Sequence, residues 1–319
     1  MEHKVSLISI VIPVLNEEES LVELHTQITE ALEPTAYDHE ILFIDDGSTD
    51  RSSEIILELN QKDRRVKLLK FQRNYGKAAA LNIGFERARG DYIITMDGDL
   101  QDDPAEIVPL IEAIYAQGKD MISGWKKERH DPFSKTIPSK FYNYVTSKMS
   151  GIPLHDFNCG LKAYKASVIK NVDVYGEMHR YIPVLAKQQG FTCGEKVVQH
   201  RARKYGTTKY GLWRFISGPF DLMTVLFLGK YLKRPLHFFG ILGLIVGLAG
   251  FGILSYISYL WFMQYIFGSG QWIGNRPIFF VGILLAIIGV QFVSMGLLGE
   301  IMANSAVKEK PKFTAFGQE

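Results

Sequence analysis

The stretch ITMDGDLQDDP, residues 94–104, places Asp97, Asp99 and Asp102 within six residues of one another, directly behind the apolar run 92–94. Acids at the end of a buried strand repel one another, and desolvating them costs several kcal/mol, about 2–7 per polar group and more per charge, unless something compensates. A hard divalent cation compensates, because it takes oxygen ligands. The plainer alternative is a surface turn that caps the next helix, with Asp102 as the cap ahead of Pro104. On this segment alone both readings stay open.

The pattern of strand, acid and turn recurs on either side. SLISIVIPV (6–14) is an apolar strand stopped near Pro13, and Asn16 with Glu19 three residues on has the form of a capping box for a helix carrying Leu21, Leu24, Ile28 and Ala31. EILFIDDGSTD (40–50) repeats strand and acidic turn, RVKLLKF (65–71) is a further strand, and KAAALNIGFERA (77–88) has the apolar face and strong formers of a helix. Pro104 opens another helix at its favoured position, and DMISG (120–124) is a short strand. Alternating strands and helices give an α/β unit with a mainly parallel sheet. Ligands of such sheets bind at the carboxyl ends of the strands, so the tips 13–17, 45–50 and 97–102 converge. The Gly-rich dinucleotide and P-loop fingerprints are absent.

Composition narrows the class. Lys and Arg number 36 against 34 Asp and Glu, a net charge of +2, which argues against a nucleic-acid binder. Cys159 and Cys193 are the only cysteines, too few for a disulfide scaffold or a cysteine metal cluster. The N-terminal apolar run meets Pro13 and then acids, without a small-residue cleavage site, and so does not read as a signal peptide. Residues 235–275 contain no Asp, Glu, Lys or Arg, and after Arg276 neither do 277–299. The apolar segments 238–260 and 278–299 each reach the roughly 20 residues that span a bilayer. Lys230, Lys233 and Arg234 precede the first, and Lys308, Lys310 and Lys312 follow the second, which places both chain ends in the cytoplasm. Trp261, Tyr265 and Trp272 suit the opposite interface. The expected organisation is a cytoplasmic domain over 1–210, amphipathic interfacial helices over 211–234, a transmembrane hairpin over 235–304 and a cytoplasmic tail over 305–319.

The ordered segments IPVLNEEE (12–19), IDDGSTD (44–50), RNYGKAAALNIGF (73–85), MDGDLQDDP (96–104), DFNCGLKAY (156–164) and RKYGTTKYG (203–211) resemble those of family 2 glycosyltransferases with the GT-A fold. Within that family they look like the polyprenyl-phosphate sugar transferases, nearer to bactoprenol glucosyltransferases than to dolichol-phosphate mannose synthase. The resemblance implies a Rossmann-like domain on a bacterial inner-membrane anchor. The implied reaction is inverting transfer of glucose from UDP-glucose to undecaprenyl or another polyprenyl phosphate, with Mg²⁺ or Mn²⁺. Another donor, such as GDP-mannose, UDP-N-acetylglucosamine or an aminoarabinose-related nucleotide, is the alternative within the class. A non-catalytic membrane adaptor is the alternative outside it. A processive polysaccharide synthase would carry more spans and a QxxRW segment, and GQWIGNR (270–276) lacks that spacing.

The site residues follow from the same resemblance. Asp97, Asp99 and Gln101 are the expected metal-contacting set, with Asp97 also on the donor. Pro13 and Glu17 match the first nucleotide loop, Asp45 the uracil or ribose contact, and Asp46 a position near the metal. Asp156 matches the acid on the acceptor side, as a base or as an orienting group. Arg201, Arg203 and Lys209 lie in a basic acceptor-side loop, and Lys126 is expected to face the diphosphate. Residues 201–234 hold eight Lys or Arg and one Asp, as a lipid phosphate or an anionic membrane face would require. The expected partners are the nucleotide sugar, the lipid phosphate and further copies of the chain in a homo-oligomer such as a tetramer.

Overall fold

The computed structural model describes residues 6–127, 133–174, 178–202, 204–205, 235–268 and 277–306. The chain divides into two compact units, Met1–Leu226 and Phe227–Glu319. In the first, the elements run β1 (Leu7–Val14), α1 (Leu21–Leu32), β2 (Asp38–Asp45), α2 (Ser52–Lys62), β3 (Val66–Lys70), α3 (Lys77–Arg87), β4 (Tyr92–Thr95), α4 (Ile107–Gln117), β5 (Met121–Trp125), α5 (Phe133–Ser150), β6 (Lys162–Lys165), α6 (Ala166–Ile169), α7 (Ile182–Gln188) and β7 (Cys193–Val197). The seven strands form one sheet in the order β3-β2-β1-β4-β6-β5-β7.

The sheet is parallel from β3 through β4, and β5 pairs with β7 in parallel. Only β6 runs the other way, between β4 and β5. The interiors of β1 and β2 are buried almost without interruption, as strands covered on both faces must be. Ile8, Ile10 and Ile12 of β1 share one core cluster with Ile41 and Phe43 of β2 and with Leu21, Leu24, Ile28 and Leu32 of α1. Each such side chain contributes about 1.5–3 kcal/mol by leaving water.

Asn16 does not cap α1: the helix starts at Leu21 behind Ser20, and Asn16 instead sits at φ 50°. Nor is Ala31 the inward residue of the last turn; Leu32 is.

Among the described residues the second unit holds two helices, α8 (Pro235–Phe267) and α9 (Pro277–Ala306). Both are long and apolar enough to cross a membrane. At about 1.5 Å per residue they exceed the roughly 30 Å hydrocarbon core, so each extends past the segment expected from composition. A methyl on Gly289 would lie 2.6 Å from the Gly247 backbone, so the helices pack with their backbones in close approach. Glu300 Oε2 accepts from the Leu236 amide at 3.3 Å, satisfying one of the open donors at the start of α8.

Candidate active site

Strand direction brings the chemistry to one edge. β1, β2, β4, β5 and β7 end there, and the antiparallel β6 begins there. The edge therefore gathers the segments after Val14, Asp45, Thr95, Trp125 and Val197, together with the segment before Lys162.

The first two loops are stitched into one body. The Asn16 amide donates to Ser48 Oγ at 2.9 Å, the Glu17 amide to Ser52 Oγ at 2.9 Å and the Glu18 amide to Asp50 Oδ2 at 3.2 Å. In return the Thr49 amide donates to Asn16 Oδ1 at 2.8 Å, the bond that replaces the expected helix cap. Pro13 lies within β1, in register with Ile44. Asp45 is fully buried, with Oδ1 accepting from the Ser48 amide at 2.7 Å and Oδ2 from the Ser53 hydroxyl. It shapes the turn. Asp46 accepts from the Tyr75 and Gly76 amides at 2.7 and 2.9 Å, so it anchors the approach to α3. Burial, and the Asp45 charge beside it, push the Asp46 carboxyl above its ordinary range against the pull of those two amides.

The acid loop after β4 is held from three sides. Ser20 Oγ donates to the Gly98 carbonyl at 2.6 Å. The Gln101 amide donates to Asp99 Oδ1 at 3.2 Å, and the Arg201 amide to the Gln101 carbonyl at 3.0 Å. Leu100 between them adopts φ 60°, a conformation uncommon outside glycine. Asp97 pairs with Lys77 at the start of α3. Burial alone would raise the Asp97 carboxyl; the ammonium groups of Lys77 and Lys126 outweigh it and hold the group well below the carboxylate range.

Asp102 is not the cap before Pro104. That place belongs to Asp103, whose Oδ1 accepts from the Ala105 amide at 3.0 Å at the head of the 3-10 turn Pro104–Glu106. Asp102 is buried, meets Lys126 Nζ at 2.8 Å and accepts from the Asp97 amide at 3.3 Å. Burial disfavours a charged lysine, but Asp102 outweighs it and keeps Lys126 protonated beyond the usual range. Lys126 thus braces the acid loop from β5. Arg201 is tied to Asp103 at 2.6 Å and to Gln27 Oε1 at 2.7 Å. Arg203, Lys209 and the segment 211–234 lie outside the described residues.

Beyond Asp97 a cavity of about 100 Å³ opens, walled by Lys77, Asp97, Asn158, Lys162, His179 and Arg180. Burial, and then the neighbouring Lys77, Arg180 and Lys162, drive the His179 pKa well below its ordinary value, so the ring is neutral at pH 7. Burial also lowers Lys162 and pushes the Cys159 thiol up to about 12, which leaves that thiol inert. Asp156 is buried behind the cavity wall, its Oδ1 accepting from the Asn158 amide at 3.0 Å and its carbonyl from Ser123 Oγ at 3.3 Å. A methyl on Gly160 would lie 2.7 Å from Asp97 Cγ, so only glycine fits against that carboxylate. His179 and Arg180 carried no signal in the sequence; Lys77 and Lys162 stood within quoted motifs without a role.

Asp97, Asp99 and Gln101 offer two carboxylates and an amide carbonyl, the hard oxygen donors that Mg²⁺ and Mn²⁺ take. The Lys77 ammonium already beside Asp97 shows that this carboxylate stands where positive charge is accommodated. These three side chains are of the donor type that would hold such an ion. Among the described residues, no group of three or more His, Cys, Asp or Glu side chains forms a self-contained metal cluster.

Residues 9–173 match the family model described as Glycosyl transferase family 2. The chain belongs to glycosyl transferase family 2. This family 2 glycosyltransferase is 38% identical over 306 residues to a dodecaprenyl-phosphate galacturonate synthase from Rhizobium johnstonii, covering 95% of this chain and 89% of that protein. It is 36% identical over 317 residues to an undecaprenyl-phosphate 4-deoxy-4-formamido-L-arabinose transferase from Pseudomonas aeruginosa, covering 98% and 90%. Its α/β sheet is the Rossmann-like GT-A fold. Similar solved structures include mannosyl-3-phosphoglycerate synthase from Rubrobacter xylanophilus, with a TM-score of 0.55 at 12% identity over 69% of this chain and 73% of that one. Another is glucosyl-3-phosphoglycerate synthase from Mycobacterium tuberculosis in complex with Mg²⁺ and UDP, with a TM-score of 0.52 at 16% identity over 70% and 79%. At those identities the likeness concerns the fold alone.

Proposed function

We propose that this glycosyltransferase moves a sugar from a UDP-linked donor to a polyprenyl phosphate, with inversion, at the cytoplasmic face of a bacterial inner membrane. The observation that carries the reading is the single edge on which the stitched loops after β1 and β2 adjoin Asp97, Asp99 and Gln101. The relatives, each a polyprenyl-phosphate sugar transferase, support the acceptor class. The basic segment 201–234 leading into α8 supports the topology, with both termini cytoplasmic.

In this reading the nucleotide lies against the paired loops 15–20 and 46–51, and the diphosphate reaches Asp97, Asp99 and Gln101. A Mg²⁺ or Mn²⁺ held by those three side chains supplies stabilisation of the charge that builds on the leaving diphosphate. The chain's own work is positional. Ser20, Lys126 and Asp102 fix the acid loop, and Lys77 balances Asp97. The attacking phosphate oxygen is already largely ionised near neutral pH, since a second phosphate pKa lies near 6, so little proton abstraction is needed. Asp156 then serves by shaping the segment 156–160 on the acceptor side rather than as an obligatory base.

Motif resemblance implies glucose, whereas the relatives transfer galacturonate and 4-deoxy-4-formamido-L-arabinose. A donor screen therefore tests the reading. The full chain, undecaprenyl phosphate and Mn²⁺ are incubated with UDP-glucose, UDP-galacturonate, UDP-4-deoxy-4-formamido-L-arabinose or GDP-mannose, and the lipid product is weighed by mass spectrometry. At least one UDP sugar should yield a lipid-phosphate-sugar. Transfer from GDP-mannose alone would overturn the uridine assignment.

A further inference from the structure

Three side chains of β5 and β7 grip the chain just before it reaches Asp97. The two strands are parallel neighbours, and Glu195 stands in register with Ser123. Side chains alternate between faces along a strand, so Ser123, Trp125 and Glu195 share one face. Ser123 Oγ donates to the Asp156 carbonyl at 3.3 Å. Glu195 takes the preceding residue twice. Its Oε2 accepts from the His155 amide at 2.8 Å, and its Oε1 from the His155 ring at Nδ1, 2.5 Å away. A carboxylate only accepts, so this bond places a proton on Nδ1. The Trp125 ring stacks on the imidazole, with centroids 4.1 Å apart and planes 12° from parallel.

Global stability does not account for this grip. The His155 side chain is 62% exposed, and an exposed ion pair adds little to a fold. The consequence lies in the segment that His155 heads. Asp156, Asn158 and Gly160 follow it directly. At the far end Thr95 Oγ1 donates to the Gly160 carbonyl at 2.8 Å, and Gly160 lies against the Asp97 carboxylate. Lys126, next to Trp125, braces the acid loop through Asp102. The end of β5 thus holds the acid loop with one residue and the segment 155–160 with its neighbour.

We propose that Glu195 and His155 are positioning residues for sugar transfer: their paired bonds hold the segment 155–160 against Asp97, with Trp125 setting the ring for them. The inference rests on the sugar-transfer reading above. Both residues act through Asp156 and Gly160.

Cys159 reports on the segment independently of turnover. It is 1% exposed, so its thiol is labelled only when the segment opens. The full chain in lipid nanodiscs is treated with N-ethylmaleimide, and the Cys159 and Cys193 peptides are quantified by mass spectrometry. Melting, UDP binding, and kcat and KM for the donor that the screen selects are measured on the same samples. Glu195→Ala removes both bonds. His155→Phe keeps a ring on Trp125 without the side-chain bond, and His155→Asn keeps a donor near the place of Nδ1. Glu195→Ala and His155→Phe should raise Cys159 labelling by about tenfold and lower kcat by about tenfold, as part of the cost of misplacing a catalytic group. UDP binding, Cys193 labelling and the melting midpoint should stay near wild type, and His155→Asn should recover most of both losses. Unchanged labelling and kcat in folded Glu195→Ala and His155→Phe overturn the proposal and leave an ordinary surface pair. A His155→Asn defect as large as that of His155→Phe also overturns it, as does UDP binding that weakens in step with turnover. A melting midpoint that collapses in His155→Phe, with Cys193 labelled as fast as Cys159, overturns it in favour of a global structural role. If wild type binds UDP but no sugar reaches the lipid, the transfer reading fails on its own, and Cys159 labelling still decides whether the pair holds the segment.

Discussion

The carboxylate of Asp102 is fully buried and meets the ammonium of Lys126 at 2.8 Å. The pair joins the acid loop after β4 to the end of β5, and the Asp97 amide leans on the same carboxylate. Breaking a buried pair by removing one partner costs about 3–5 kcal/mol, since the other charge is stranded. Asp102→Asn should therefore lower the thermal midpoint of the purified chain markedly. Adding Lys126→Met to that variant should restore part of the loss. Additive losses in the double variant would show that the two groups do not act as a pair.

Glu40 is a second buried hub. Its carboxylate accepts from Lys67 Nζ at 2.5 Å, Ser9 Oγ at 2.7 Å and the Arg89 amide at 2.8 Å, and meets the Arg89 guanidinium at 3.1 Å. Burial works to raise its pKa, but the bonds from Lys67, Ser9 and Arg89 outweigh it, and the folded value is depressed. A depressed carboxylate contributes stability above its unfolded pKa, about 4.3 for Glu, and loses it as pH falls through the folded value. The thermal midpoint should decline as pH drops below about 4.3. Glu40→Gln should be less stable near pH 7 and show a shallower acid decline; an unchanged acid limb would contradict the assignment.

Gly160 faces the Asp97 carboxylate so closely that an added Cβ would come within 2.7 Å of it. In Gly160→Ala the carboxylate has to shift or the loop has to open. Misplacing a catalytic group by about 1 Å costs roughly a hundredfold in rate. Turnover should fall by about that factor, with a far smaller change in thermal midpoint, in a side-by-side kinetic and melting comparison. Near-normal turnover would show that Asp97 tolerates displacement.

The sequence was most legible where one physical signal dominated. β1, β2 and β4 centre on the apolar runs 10–14, 41–44 and 92–94, each followed by a polar tip, and the burial of those runs follows from that pattern. β6 and β7 were not foreseen, because KAYK and CGEKV are short and carry charge, and they acquire strand structure from their neighbours in the sheet. Asp102 and Asp103 both precede Pro104, so either fits a cap on paper; only geometry separates the buried ion pair from the turn. Asn16 has a capping residue's chemistry, yet its amide oxygen is claimed by Thr49 from another loop. Lys162 and Arg180 look like surface residues in a linear reading. They are interior because β6 and the turn at Met178–Tyr181 wall a cavity, a relation between distant segments.

Asp99 offers the most direct measurement. Asp99→Asn keeps the oxygen that accepts from the Gln101 amide and removes only the charge. Sugar transfer to undecaprenyl phosphate, from the donor that the screen selects, is measured across a Mn²⁺ titration, alongside the melting curve without metal, for wild type, Asp99→Asn and Asp102→Asn. Loss of one well-placed electrostatic contact costs about 3 kcal/mol at the transition state, roughly a hundredfold in rate. Asp99→Asn should melt like the wild type and transfer about a hundredfold more slowly, while Asp102→Asn should show its principal defect in the melt. An Asp99→Asn protein that folds normally and turns over at the wild-type rate at low Mn²⁺ would contradict the account.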